Sequence, residues 1–188
     1  MREIILDRAK KTLRRIRISV KWIIFAVISG ALIGSAGTFF YLCLSFVTLV
    51  RTKNPWLIWL LPAAGLLIVG AYQLLRDADD PGTNLVLSAI HSGDRLPVRM
   101  APLIFFATLI THLFGGSAGR EGAALQLGGS IGNGLGTLFR FEEKDRHIMI
   151  MCGMSAAFSA VFGTPMAAAI FAMEVVSVGV MYYAALLP

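Results

Sequence analysis

Apolar residues fill this chain in long runs, and short polar breaks between the runs divide it into elements. From Ser19 to Val50 the sequence is almost wholly apolar, and Arg51-Thr-Lys-Asn-Pro55 ends the run. A helix of that length exceeds the roughly 20 residues needed to cross a bilayer perpendicularly, so it must tilt strongly or project beyond the hydrocarbon. Ahead of it, Ile4, Ile5, Ala9, Leu13 and Ile16 recur at helical spacing among basic residues. That pattern over 3–17 predicts an amphipathic helix lying on an anionic leaflet. The chain therefore divides into a surface helix over 1–17 and a transmembrane helical domain over 18–188.

A second span is expected from Trp56 to Leu75, with Trp56 and Trp59 near its start, where an interfacial aromatic belt would place them. The polar stretch Arg76-Asp-Ala-Asp-Asp-Pro-Gly82 follows. Asn84 to His91 predicts a helix too short to span. Val98–Phe114, Ala123–Phe139 and Lys144–Phe162 predict three more helices, the last stopped by Gly163-Thr-Pro165, and Met166 to Leu187 continues apolar. Short, interrupted helices at membrane depth are tolerated only where they are buried in protein or line a polar cavity, so the pattern predicts one. Gly30 and Gly34 share a face of the first span, and Gly128, Gly132 and Gly136 form a stripe on a later one. Both predict close helix packing.

Composition narrows the class. The chain of 188 residues is 56% hydrophobic, with a mean hydropathy of +0.72 and only 15% charged residues. An ordinary soluble domain carries roughly 25%. The length leaves no room for an additional soluble domain beside the membrane segments. The net charge of +6 is largely an N-terminal feature, because eight of the 17 basic residues lie within the first 21 positions. Basic residues beside an apolar span place the N-terminus in the cytoplasm, with the chain outside at 51 and back inside by 76. The same placement argues against a nucleic-acid partner, which would need basic residues spread over a polar face. It also argues against a cleaved signal, because the apolar run far exceeds an h-region of about 7–15 residues. Cys43 and Cys152 offer no disulfide framework, and His91, His112 and His147 are scattered without metal-ligand spacing. No cofactor or metal is expected. Without a nucleophile-base pair, neither is an enzyme.

Only two of the eleven acidic residues, Glu121 and Glu174, fall within apolar stretches, where a carboxylate is costly enough to mark a functional site. Glu121 lies in Gly115-Gly-Ser-Ala-Gly-Arg-Glu-Gly122, just before a predicted helix. Glycines there let successive N–H groups converge, and the helix terminus adds partial positive charge, which together suit an anion. Two readings of Glu121 stand. It is either a helix-capping acid paired with Arg120 or another base, or a carboxylate that competes with a permeating anion for the same amides. A dinucleotide site fails, since no strand precedes these glycines.

Gly119-Arg-Glu-Gly122, followed by Ala-Ala-Leu-Gln-Leu-Gly-Gly-Ser-Ile-Gly132, resembles the GREGP-x-x-Q-x-G-G-x-I-G signature of the CLC chloride channels and chloride/proton antiporters. Ala157-Phe-Ser-Ala-Val-Phe-Gly-Thr-Pro165 and the following Ala-Ile-Phe-Ala-Met-Glu174 resemble the helix-break-helix segment that comes after it. The resemblance implies an all-α polytopic membrane protein with CLC-type short and broken helices, transporting a halide across the plasma membrane. It implies that Glu121 is the gating glutamate. The anion would be held by Gly119, Gly122, Ala123 and Ala124, with Arg120 holding the loop rather than the ion. It further implies a homodimer with one pore per subunit and exchange of a proton. Gln126 is either a residue lining the path or a packed amide.

Three departures qualify the match. Ala123 stands where the family has proline. Asp80-Pro-Gly-Thr-Asn84 stands where it has GSGIP, so the anion-contacting serine is absent and Thr83 or Asn84 is left to donate. These departures resemble the fluoride/proton antiporter branch, which keeps fluoride beside chloride as the candidate ion. Val175 replaces the internal glutamate of antiporters, leaving Glu174 as the candidate proton carrier. Members of the family fold as two inverted repeats, and this sequence holds the first. A second copy or a separate partner would complete the pore; the alternative is a truncated fragment that does not transport.

Overall fold

The computed structural model describes residues 2–75, 82–91 and 96–175, and its described residues form helices and turns with no strand among them. Among the described residues seven α-helices follow in order: α1 (Arg2–Lys53), α2 (Leu61–Leu74), α3 (Thr83–His91), α4 (Met100–Leu113), α5 (Arg120–Leu138), α6 (Glu143–Phe162) and α7 (Pro165–Glu174). The predicted all-α fold of long and short helices is what forms. The expected polar break over 76–81 and the apolar continuation past 175 lie outside the described residues.

The long N-terminal element is one helix. No proline or glycine interrupts residues 2–29, so the basic stretch over 3–17 continues into the apolar span as one helix, and α1 runs unbroken to Lys53. At its C-terminal end, Asn54 donates from its backbone and side chain to the Val50 carbonyl at 3.1 and 3.0 Å. Pro55 then forbids further α-helix. The second span accordingly opens as a 3₁₀ turn over Pro55–Leu60 and becomes α-helical at Leu61. Two described stretches, Ile16–Lys53 and Pro55–Leu74, are long and apolar enough to cross a membrane, and only 6% of the second is buried within the protein. Its apolar side chains therefore face outward.

The core is built around α5. Every residue from Ala123 to Ser130 is buried. On one side, Val86 and Ala89 of α3 pack with Leu125, Ile150, Met151 and Met154. On the other, Phe40 and Leu44 of α1 meet Ala101, Ala124, Leu127 and Val161. Between helices that lipid solvates as well as protein does, close van der Waals contact is the main source of association, and it needs small residues at the crossing. The glycine stripe supplies them. A Cβ at Gly128 would overlap the Gly153 carbonyl oxygen of α6, one at Gly132 would overlap the Met149 carbonyl, and one at Gly136 would meet Arg146 Cγ at 3.0 Å. Gly30 and Gly34 behave differently from expectation: an added Cβ at either finds nothing within 4 Å. The glycine that α1 uses is Gly37, whose added Cβ would stand 3.0 Å from Ala160 Cβ and 3.2 Å from the Ala157 backbone.

Aromatic rings and a cation fasten α1 to the turn between α5 and α6. Phe25 meets Phe139 and Phe141 edge-on at 4.9 and 4.8 Å, Trp22 lies 5.5 Å from Phe141, and Lys21 Nζ sits 4.8 Å from the Phe141 centroid. The predicted stop after α6 is a left-handed cap: Gly163 has φ +70° and its N–H donates to the Ser159 carbonyl at 2.8 Å. Pro165 then starts α7, where its missing N–H costs nothing.

Candidate functional site

The segment leading into α5 is shaped by its glycines. After α4 the chain reverses at Gly115, whose φ of +85° a side chain would resist, and the Gly116 N–H donates to the Thr111 carbonyl at 2.8 Å. The chain then extends to Gly119, the N-cap of α5, with φ −67° and ψ 127°. Glycine has no side chain with which to cap, and no cap hydrogen bond is made there. The first-turn N–H groups of α5 thus lack both an intrahelical partner and a capping side chain, at the positive end of a 19-residue helix.

Glu121 lies in that first turn and is exposed. Its Oε2 stands 3.5 Å from where a Cβ on Gly119 would be, so the carboxylate turns back over the start of its own helix. Arg120 and Gly122 are half-buried, while Ala123 and Ala124 are 4% and 0% exposed. The site is therefore one-sided: donors and a carboxylate face out, and packed methyls lie behind. Because α5 begins at Arg120, earlier than Ala123, Gln126 falls on the second turn rather than the first, and it is buried. A helix terminus of this kind favours negative charge, whether on a carboxylate or on a free anion.

The other sequence candidates lie elsewhere in the fold. Thr83 and Asn84 form the first turn of α3, with Asn84 exposed. A Cβ on Gly129 would meet Val86 of α3, so α3 packs beside the middle of α5, eight residues past Glu121 and about 12 Å of helix rise away. Glu174 is the last residue of α7 and is exposed, with Val175 as its C-cap. A 260 Å³ cavity lies between α1, α6 and α7, with Ser29, Cys152, Ser155 and Ser159 on its wall. None of residues 119–124 lines it, and the Ser29 hydroxyl is already bonded to the Phe25 carbonyl at 2.7 Å.

Arg51 is a neighbour of this region that sequence reasoning treated only as a helix stop. Its guanidinium lies against the Gly115 turn, with Nε 2.9 Å from where a Cβ on Gly115 would stand. Nothing in the sequence pairs a basic helix end with a glycine 64 positions later. Only the left-handed backbone at Gly115 opens the space.

Comparison with known proteins gives concordant findings. The voltage-gated chloride channel family matches residues 65–188. The chain is 44% identical over 169 residues to the chloride/fluoride channel protein of Pseudomonas syringae pv. tomato, covering 89% of this chain and 37% of that protein. It is 31% identical over 180 residues to the H(+)/Cl(-) exchange transporter ClcA of Cronobacter sakazakii, covering 88% and 38% respectively. Its fold superimposes on the crystal structure of a CLC-type fluoride/proton antiporter with a TM-score of 0.83 and 40% identity, over 90% of this chain and 43% of that one. The chain thus spans well under half the length of the relatives it matches.

Proposed function

The chain belongs to the voltage-gated chloride channel (CLC) family and is an integral membrane protein, and we propose that it forms the first-repeat half of a halide pathway gated by Glu121. The observation that carries this reading is the start of α5, where the uncapped amides of Gly119–Gly122 lie beside the returning Glu121 carboxylate, while the Ala123 and Ala124 amides, expected to hold the anion, are already taken by the helix and packed behind them. Occupation by the carboxylate closes the site to a free anion; protonation or displacement of the carboxylate opens it. Arg120 holds the loop, Thr83 and Asn84 add hydrogen-bond donors at the start of α3, and Glu174 is the residue available to pass a proton. The second repeat, from another polypeptide or a further segment, completes the path, and two such pores pair as a dimer in the plasma membrane with the N-terminus cytoplasmic.

Fluoride is the ion we favour. Identity to the chloride/fluoride channel protein is 44% against 31% to the chloride exchanger, and Asp80-Pro-Gly-Thr-Asn84 departs from the GSGIP of chloride-type members. Flux decides the matter. The chain is reconstituted in liposomes, alone and with the second repeat of the Pseudomonas syringae relative, and fluoride and chloride efflux are recorded across a pH step. The expected result is fluoride efflux that needs the second repeat and that changes on Glu121→Gln and Glu121→Ala. Silence in both preparations would favour the non-transporting fragment, and flux indifferent to Glu121 would remove its gating role.

A further inference from the structure

The turn between α5 and α6 lies at the far end of α5 from Glu121, about 26 Å of helix rise away. It closes through two backbone bonds: the Phe141 N–H donates to the Gly136 carbonyl at 2.9 Å, and the Arg140 N–H donates to that of Thr137 at 3.0 Å. This pairing puts Arg140 in the left-handed position after the helix, φ +54°, which glycine usually fills because a side chain is strained there. No other non-glycine residue among the described residues has a positive φ. Arginine is the more strained choice, and what it adds is a cation.

Two further cations gather at the same turn. Lys21 Nζ is held over Phe141 and Phe25, 4.8 and 5.7 Å from the ring centroids, which fixes the ammonium without neutralising it. Arg146 packs on the last turn of α5, with Cγ 3.0 Å from where a Cβ on Gly136 would stand, and its Nε is buried with no hydrogen-bond partner. Among the described residues no carboxylate pairs with the side chain of Lys21, Arg140 or Arg146. The acids nearby, Glu142, Glu143 and Asp145, stand at the N-cap and in the first turn of α6, whose positive end favours them.

The surroundings of these cations select the kind of anion. Lys21 lies near the start of the apolar span of α1, and Ile24 and Ile28, one and two turns further along the same face, are exposed. On a membrane-spanning helix that strip meets acyl chains, and the three cations then stand at headgroup level, where basic residues attract anionic lipid. A free anion would make no use of the strip.

We propose that the α5–α6 turn and the facing turn of α1 form a site for an anionic phospholipid, its headgroup phosphate among Lys21, Arg140 and Arg146 and one acyl chain along Ile24 and Ile28. The test is native mass spectrometry of the full chain released from detergent with equimolar phosphatidylglycerol and phosphatidylcholine of identical acyl chains. Wild-type chain should retain phosphatidylglycerol in preference, and Lys21→Gln and Arg140→Gly should each lower that preference about fivefold, the factor that one interfacial cation supports. Arg140→Gly also relieves the left-handed strain, so it should melt no earlier than wild type, and its lost preference then has no origin in unfolding. Lys53→Gln, at the opposite end of α1, should leave the preference unchanged, and millimolar inorganic phosphate should not displace the lipid. If Arg140→Gly does melt early, Lys21→Gln decides, with wild-type helicity checked by circular dichroism. Equal retention of both lipids by wild type, a preference that survives both substitutions, a loss as large in Lys53→Gln, or displacement by inorganic phosphate would each overturn the proposal.

Discussion

Replacing Gly128 by alanine tests how closely α5 and α6 cross. The new Cβ would overlap the Gly153 carbonyl oxygen and approach Ala157 Cβ at 2.6 Å. The obstructing oxygen belongs to backbone, so no side chain can swing aside, and the helices must part by on the order of 1 Å to restore ordinary contact. Overpacking of this kind costs about 3 kcal/mol at the upper end of its usual range. Alanine also returns about 1 kcal/mol of helix propensity relative to glycine. The difference leaves a destabilisation of about 2 kcal/mol. Gly34→Ala is the matched control, because the same methyl meets nothing within 4 Å and should stabilise by up to about 1 kcal/mol. Unfolding of both variants in mixed micelles, titrated with dodecyl sulfate and followed by far-ultraviolet circular dichroism, should separate them by about 3 kcal/mol. Two variants that unfold together would show that α5 and α6 do not cross through this glycine.

Three further tests probe other joints of the fold. Gly163→Ala should cost about 1 kcal/mol, because its φ of +70° is left-handed while the space around it is open; thermal melting in detergent measures it, and no change would mean that the turn has another conformation. Asn133 Nδ2 donates to the Leu96 carbonyl at 2.7 Å, so Asn133→Ala should cost about 1 kcal/mol and speed hydrogen exchange in peptides covering 96–101. Gly115→Ala meets both a φ of +85° and the Arg51 guanidinium. Combined with Arg51→Ala, it should lose the steric part of its penalty and keep the backbone part of about 1–2 kcal/mol. A double-mutant cycle with no coupling would mean that Arg51 does not lie on the turn.

Helix content and most helix boundaries were legible because apolar runs and their stops are local signals. Gly163 and Pro165 end one helix and start the next where the sequence predicts. The two prolines at 55 and 62 also carry a signal, yet they set a 3₁₀ opening that hydropathy cannot register. The glycines mark the boundary of what periodicity conveys. Gly30 and Gly34 show the same spacing as Gly128 and Gly132, but only the latter pair has another helix in contact with it. Spacing identifies a face, whereas its partner depends on where distant segments come to rest. The helix start beside Glu121 was legible to within three residues because the glycines that precede it are contiguous in the sequence. Arg51 was not, because it reaches Gly115 only through the fold.

The uninterrupted α1 carries a mechanical consequence. Trp22 and Phe25 fasten the helix to the α5–α6 turn through Phe139 and Phe141, and helical backbone continues for 20 residues before Trp22, about 30 Å at the usual rise. A rod of that length anchored at its base is a lever. A rotation of about 10° at the aromatic fulcrum sweeps its tip through about 5 Å, so a small rearrangement where α5 ends is magnified into a displacement that a spin label near Arg2 would read directly.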